Sequence, residues 1–186
     1  ETRRLSRLVR RMLDLSRLQS AENVTAQEQF DVSEVMLRVL VSLENKINAR
    51  HLDVDTQLPD GPVLVWGDPD AITQVCYNLL DNAIEACLKL EEAKRRIEVS
   101  VLRDEAYADG DAKLYVSIIN TSLPVHIEKD CIATTKLEPH LHGFGLPCAK
   151  ELLRRNNAFY TMDYHDGAFQ FCFEWPDVAC NSCVHA

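Results

Sequence analysis

Asn78 and Asn82 stand four residues apart in the apolar run QVCYNLLDNAIEAC, residues 74–87. That spacing stacks the two amides on one face of a helix. Asparagine is a mediocre helix former, because its short amide competes for backbone groups, and a merely wet face is better served by Glu, Lys or Arg. Glu85 continues the stripe and Asp81 flanks it, while Val75, Cys76, Leu79, Leu80, Ala83, Ile84 and Cys87 cover the other sides. A narrow line of amide and carboxylate oxygens in an apolar helix suits a hard cation such as hydrated Mg²⁺. On this segment alone, an ordinary solvated stripe fits as well.

Two later stretches weigh on that choice. Residues 121–142 show no clean period and carry Thr134, Thr135 and Lys136. Connections of that length in a compact domain are usually functional. HGFGL follows, with Gly143, Phe144, Gly145 and Leu146 opening a helical pattern. Glycines there let the backbone approach a ligand, and the unpaired N–H groups of a first helical turn favour phosphate oxygens. A lone GxG is weak; an amide stripe, a Lys-bearing loop and a glycine-led helix in that order are much stronger.

The elements that must position these groups follow from periodicity. QFDV reads as a short strand, and Ser33 is expected to cap a helix running to about Arg50. LDVDTQL alternates as a strand, DGP turns the chain, and VLVWG follows. Asp68 and Pro69 start the asparagine helix. RRIEVSVLR and KLYVSIIN alternate as strands joined by the polar loop DEAYADGDA. After the helix GFGLPCAKELLRRNN, the segments AFYTMDYH and AFQFCFEW form a hairpin with an Asp-Gly turn. The order β-α-β-β-α-β-β-α-β-β predicts an α+β two-layer sandwich, a mixed sheet with helices on one face.

Ahead of it, Leu5, Leu8, Met12, Leu15 and Leu18 form an apolar seam with arginines outside it. That heptad pattern predicts a helix packing on another helix, in a homodimer or against its own domain. The chain therefore divides into the seam helix (1–22), the sandwich (23–176) and a flexible tail (177–186).

Composition is globular, with 186 residues of which 46% are hydrophobic and 26% charged, enough for one sizeable domain. The net charge is −9, yet the first twenty residues hold six arginines against two acids, so the remaining body stands at −13. That argues against nucleic acid as a partner. No run approaches membrane-spanning length. The seven cysteines are scattered, mostly in apolar segments, as reduced thiols in a cytoplasmic protein would be. Only CNSCVH has metal-like spacing, and without a matching second pair it reads as part of the tail.

These motifs carry a resemblance. DPDAITQVCYNLLDNAIEA resembles the N box of the catalytic, ATP-binding domain of bacterial sensor histidine kinases, in the Bergerat-fold superfamily that includes gyrase. TTKLEPHLHGFGL resembles the end of that family's ATP lid and its second glycine box, and RRLSRLVRRMLDLSRLQS resembles the second helix of its dimerisation and phosphotransfer hairpin. The resemblance covers roughly residues 30–176. It implies ATP and Mg²⁺ as cofactors, Asn82 as the direct Mg²⁺ ligand and Asn78 as a supporting amide. It further implies that Lys136 approaches the terminal phosphates, beside Thr135 and Glu85 at the site. The backbone of Gly143, Phe144, Gly145 and Leu146 would cradle the phosphate chain. Neutral amides can hold Mg²⁺ beside a triphosphate without adding charge to an anionic site. Phosphoryl transfer asks the protein mainly for positioning and charge neutralisation. The implied reaction moves the γ-phosphoryl to a histidine on the hairpin and thence to a response-regulator receiver domain, in the cytoplasmic part of a membrane-anchored sensor.

Three departures qualify the resemblance. Where the family's first glycine box has Asp-x-Gly-x-Gly, this chain reads SIINTSLP, with Asn120 at the adenine-binding Asp position and Ser122 and Pro124 at the glycines. An Asn oxygen still accepts a hydrogen bond, without charge assistance. The replacement resembles a divergent branch, the peptide-sensing quorum receptor kinases. The stretch up to GDPDAITQV looks like mainstream sensor kinases instead, which natural drift or an engineered chimera would explain equally. Finally, none of the six histidines sits in a phosphoacceptor context; His140 and His142 lie in the lid segment. The chain thus reads as part of a longer kinase. Two alternatives stand beside this reading: a nucleotide-binding or dimerisation module without turnover, and an anti-sigma-factor-like serine kinase.

Overall fold

The computed structural model describes residues 27–104, 113–128, 130–132 and 145–175. The seam helix expected at 1–22 and the tail expected at 177–186 lie outside them.

Strand β1 (Glu28–Asp31) leads directly into helix α1 (Val32–Asn48). The Asp31 carboxylate caps that helix, accepting from Ser33 N–H at 2.9 Å and from Val63 N–H at 3.0 Å. The expected cap at Ser33 is therefore displaced by two residues, and the helix stops short of Arg50. Asp31 wins because one carboxylate serves two orphan donors, in the helix and in the chain entering β3. Ser33 instead sits buried in the first turn.

Strands β2 (Asp53–Gln57) and β3 (Leu64–Gly67) follow where alternation places them. Helix α2 (Pro69–Cys87) then starts on Asp68, whose carboxylate accepts from Asp70 N–H at 2.9 Å and Ala71 N–H at 3.2 Å. Proline in the first turn loses only an N–H that the helix cannot use. Strands β4 (Arg96–Asp104) and β5 (Lys113–Thr121) come next, then two short strands, β6 (Ile127–Glu128) and β7 (Cys131–Ile132). Helix α3 (Gly145–Arg155) precedes the closing hairpin of β8 (Phe159–His165) and β9 (Ala168–Trp175). Its turn is the expected Asp-Gly, with φ of 49° at Asp166 and 81° at Gly167, as a two-residue hairpin turn of right-handed twist requires.

Five strands form the main sheet in the order β2-β4-β5-β9-β8; β2 runs parallel to β4 and the other pairs are antiparallel. This is the mixed sheet the pattern calls for. One face is apolar: Ile97, Val99 and Val101 of β4, Leu114, Val116 and Ile118 of β5, and Phe171, Phe173 and Trp175 of β9 are buried. These residues share a single core with Val35, Met36 and Val39 of α1, Val75, Leu79 and Ile84 of α2, and Ala149 and Leu153 of α3. The helices thus pack on one face.

Strands β1 and β3 do not join that sheet but form their own antiparallel ribbon. Trp175, at the end of β9, fastens the ribbon: its indole N–H donates to the Trp66 carbonyl at 3.2 Å. Gly67 makes this closeness possible, since a Cβ there would lie 2.7 Å from the Trp175 ring. At the far side, the β6–β7 turn is tied down where the Asp130 carboxylate meets Lys150 of α3 at 3.2 Å and accepts from the Tyr160 hydroxyl of β8.

Candidate functional site

Helix α2 carries the amide stripe across the core, and its polar groups meet three different fates. Asp81 pairs with Lys46 of α1, so this flanking carboxylate joins two helices. Asn78 accepts through Oδ1 from Gln74 Nε2, one turn earlier, at 3.0 Å. The Nδ2 atoms of both Asn78 and Asn82 are buried and have no hydrogen-bond partner among the described residues. Buried polar groups are nearly always satisfied, so two such Nδ2 donors one turn apart mark a place that costs stability.

What lies against Asn82 is the start of α3. A Cβ added at Gly145 would stand 3.1 Å from Asn82 Nδ2 and 3.5 Å from its Oδ1. The glycine expected to cradle phosphates is therefore the residue that allows a helix N-terminus to rest on the amide expected to hold metal. That end of α3 presents backbone N–H groups with no intrahelical partner, a favourable place for phosphate. Leu146, the next residue, is half-buried and packs on the core. Glu85 lies half-buried one turn beyond Asn82.

The adenine candidate sits on the sheet. Asn120 is 3% exposed and continues the buried row Leu114, Val116, Ile118 on the helix-covered face of β5, against which α2 packs. Its Nδ2 donates to the Thr121 carbonyl at 3.0 Å, which leaves Oδ1 as the end that can accept. Thr121 braces this corner: its hydroxyl donates to the Lys94 carbonyl at 2.7 Å and accepts from Arg96 N–H at 3.0 Å. The Cys87 thiol, at the end of α2, donates to the Thr121 carbonyl at 3.3 Å.

The cysteines of α2 supply packing and not chemistry. Burial pushes the Cys76 thiol up to about 12 and raises that of Cys87 as well, so neither offers a thiolate near neutral pH. Among the described residues, no three His, Cys, Asp or Glu side chains converge as a metal cage. Mg²⁺ beside a nucleotide keeps several waters and takes phosphate oxygens as ligands, so an amide oxygen without a carboxylate cage can complete its shell.

Of the residues expected at the site, the structure brings Asn82 and Gly145 into contact, places Asn78 on the same stripe and sets Asn120 on the neighbouring sheet face. Thr135, Lys136, Gly143 and Phe144 lie outside the described residues, as do His140 and His142. Sequence reading passed over Gln74, although its spacing of four from Asn78 is the signal that would have found it. The buried hydroxyl of Ser122 was also given no role.

Comparison with known proteins agrees with the fold. A family model described as the GHKL domain matches residues 68–175, more than half of the chain. The sensor histidine kinase WalK of Bacillus subtilis is 28% identical over 178 residues, covering 90% of this chain and 27% of WalK. Other curated relatives are matched over 21% and 26% of their length, so the chain spans about a quarter of each. The solved catalytic domain of histidine kinase ThkA superposes with a TM-score of 0.63 at 24% identity, over 81% of this chain and 97% of that one. Full-length ShkA, solved in complex with AMPPNP, gives 0.67 at 16% identity over 91% of this chain and 35% of that one. The chain belongs to the GHKL domain family, the ATP-binding family that includes the catalytic domains of histidine kinases.

Proposed function

We propose that this domain binds Mg²⁺·ATP and delivers the γ-phosphoryl to a histidine of a dimerisation hairpin, from which a response-regulator receiver domain takes it. The single observation that carries the reading is the Asn82 Nδ2, buried without a partner among the described residues, beneath Gly145 at the start of α3. When bound, Mg²⁺ neutralises phosphate charge. Asn82 is the residue that holds it, with Asn78 beside it oriented by Gln74, and Glu85 next along the stripe. The first N–H groups of α3, with the backbone of Gly143, Phe144, Gly145 and Leu146, orient the phosphate chain. Asn120 accepts from the adenine amino group, and Lys136, with Thr135 beside it, meets the terminal phosphates. No covalent intermediate with the domain is needed, because positioning and charge neutralisation are enough for this reaction.

Support also comes from the relatives, which are sensor kinases, and from ShkA, which was solved with an ATP analogue. No helix among the described residues is long and apolar enough to cross a membrane. In this reading the seam of residues 1–22 belongs to the hairpin and pairs two copies.

The test supplies γ-labelled ATP and a separate histidine-bearing hairpin to the purified chain. The expected result is acid-labile label on the hairpin that depends on Asn82. Nucleotide binding without transfer to any hairpin would favour the module without turnover, a reading that the altered SIINTSLP box favours.

A further inference from the structure

Ser122 follows the last residue of β5 and is 7% exposed, yet its Oγ has no hydrogen-bond partner among the described residues. Its backbone, in contrast, is fixed. Ser122 N–H donates to the Gly167 carbonyl at 2.9 Å, which carries the β5–β9 pairing one step past Thr121. Alternation along an extended chain then puts Ile118, Asn120 and Ser122 on the same, helix-covered face. Two polar side chains thus end an otherwise apolar row. The Asn120 amide is held by the Thr121 carbonyl and keeps an oxygen to accept with, while Ser122 keeps a hydroxyl that can donate.

Adenine presents a complementary pair on its pairing edge: an amino group that donates, and beside it a ring nitrogen, N1, that accepts. Guanine presents the reverse, a carbonyl beside a ring N–H. We propose that Ser122 is a second base-reading residue, its hydroxyl donating to adenine N1 while Asn120 Oδ1 accepts from the adjacent amino group. The inference rests on the nucleotide reading above and deepens it. It assigns a function to a position where the resembling family has a glycine, which could offer no side-chain donor. It also explains rejection of guanine: Asn120 Oδ1 would face a carbonyl, and buried groups left unpaired discriminate strongly.

The test is calorimetric titration, in Mg²⁺, of the wild-type chain, Ser122→Ala and Ser122→Thr with ATP analogue and with its 1-deaza counterpart, in which N1 is replaced by C–H. The loss of one neutral hydrogen bond corresponds to roughly fivefold in affinity. Ser122→Ala should therefore bind the ATP analogue roughly fivefold more weakly, and Ser122→Thr should retain binding. Wild type should lose the same factor on the 1-deaza analogue, where Ser122→Ala should make no further difference. An equal loss for Ser122→Ala on both analogues, or no loss on either, overturns the assignment. Even if a variant fails to fold, equal wild-type affinity for the two analogues overturns the assignment. A folded wild-type chain that binds neither analogue overturns the nucleotide reading itself, and the role of Ser122 with it.

Discussion

Helices α1 and α2 begin alike, each capped by an aspartate at the end of a strand, and each turns an apolar face into one shared core. They differ in what becomes of their polar residues. On α1 the outward groups are solvated or paired, Arg38 with Glu34 and Lys46 with Asp81. Its one buried atom without a partner among the described residues is the Ser33 hydroxyl, in the first turn. On α2 the Nδ2 atoms of two half-buried asparagines are buried without a partner among the described residues, and the N-terminus of α3 rests on one of these amides. A scaffold helix and the helix proposed to hold the ligand can therefore share caps, length and amphipathicity. What separates them is unsatisfied polarity placed next to a close backbone approach.

Replacing Gly145 by valine strikes that difference hardest. A Cβ alone would lie 3.1 Å from Asn82 Nδ2, and a branched side chain forces the amide aside. Displacement on this scale costs about a hundredfold in a positioned site, so Gly145→Val should lower affinity for Mg²⁺ and ATP analogue by about that factor. Calorimetry checks the affinity, and a cooperative melt checks the fold.

Asn78→Leu sharpens the contrast in another way. The variant loses the bond from Gln74 but also removes an Nδ2 buried without a partner among the described residues, so it should keep or raise stability, by up to about 1 kcal/mol, while weakening nucleotide binding roughly tenfold. Denaturant titration and binding measured on one sample would reveal that opposition; a loss of stability would mean that the amide is structural, as polar groups on α1 are. The smallest effect belongs to Asp81→Asn, which breaks the pair with Lys46 between the two helices. Both side chains are about one-third exposed, so the cost should be about 0.5 kcal/mol, with nucleotide affinity unchanged.

Much of this arrangement is legible in the sequence, and the reason is local. The Asp-Gly turn of β8 and β9, the Asp68-Pro69 helix start and the alternation of β4 and β5 are set by neighbours in the chain. The stripe of Asn78 and Asn82 stood out because asparagine is the wrong residue for a solvated helix face. What escaped reading was decided by distant partners. Ser33 and Asp31 are both good caps, and Asp31 prevails because Val63 N–H also reaches it. Strands β1 and β3 separate from the main sheet where Trp175 closes over Gly67, more than a hundred residues away in sequence. Two-residue strands such as β6 and β7 are too short to show a period. Ser122 declares itself only once burial is known.

The most direct measurement is calorimetric titration of the chain and of Asn82→Ala with AMPPNP, each with and without Mg²⁺. A neutral amide that holds the ion predicts binding by wild type that requires Mg²⁺, and in Asn82→Ala a loss of the Mg²⁺-dependent part with an unchanged melt. Wild-type affinity in Asn82→Ala, or binding by the wild-type chain that is indifferent to Mg²⁺, would contradict the assignment of that amide.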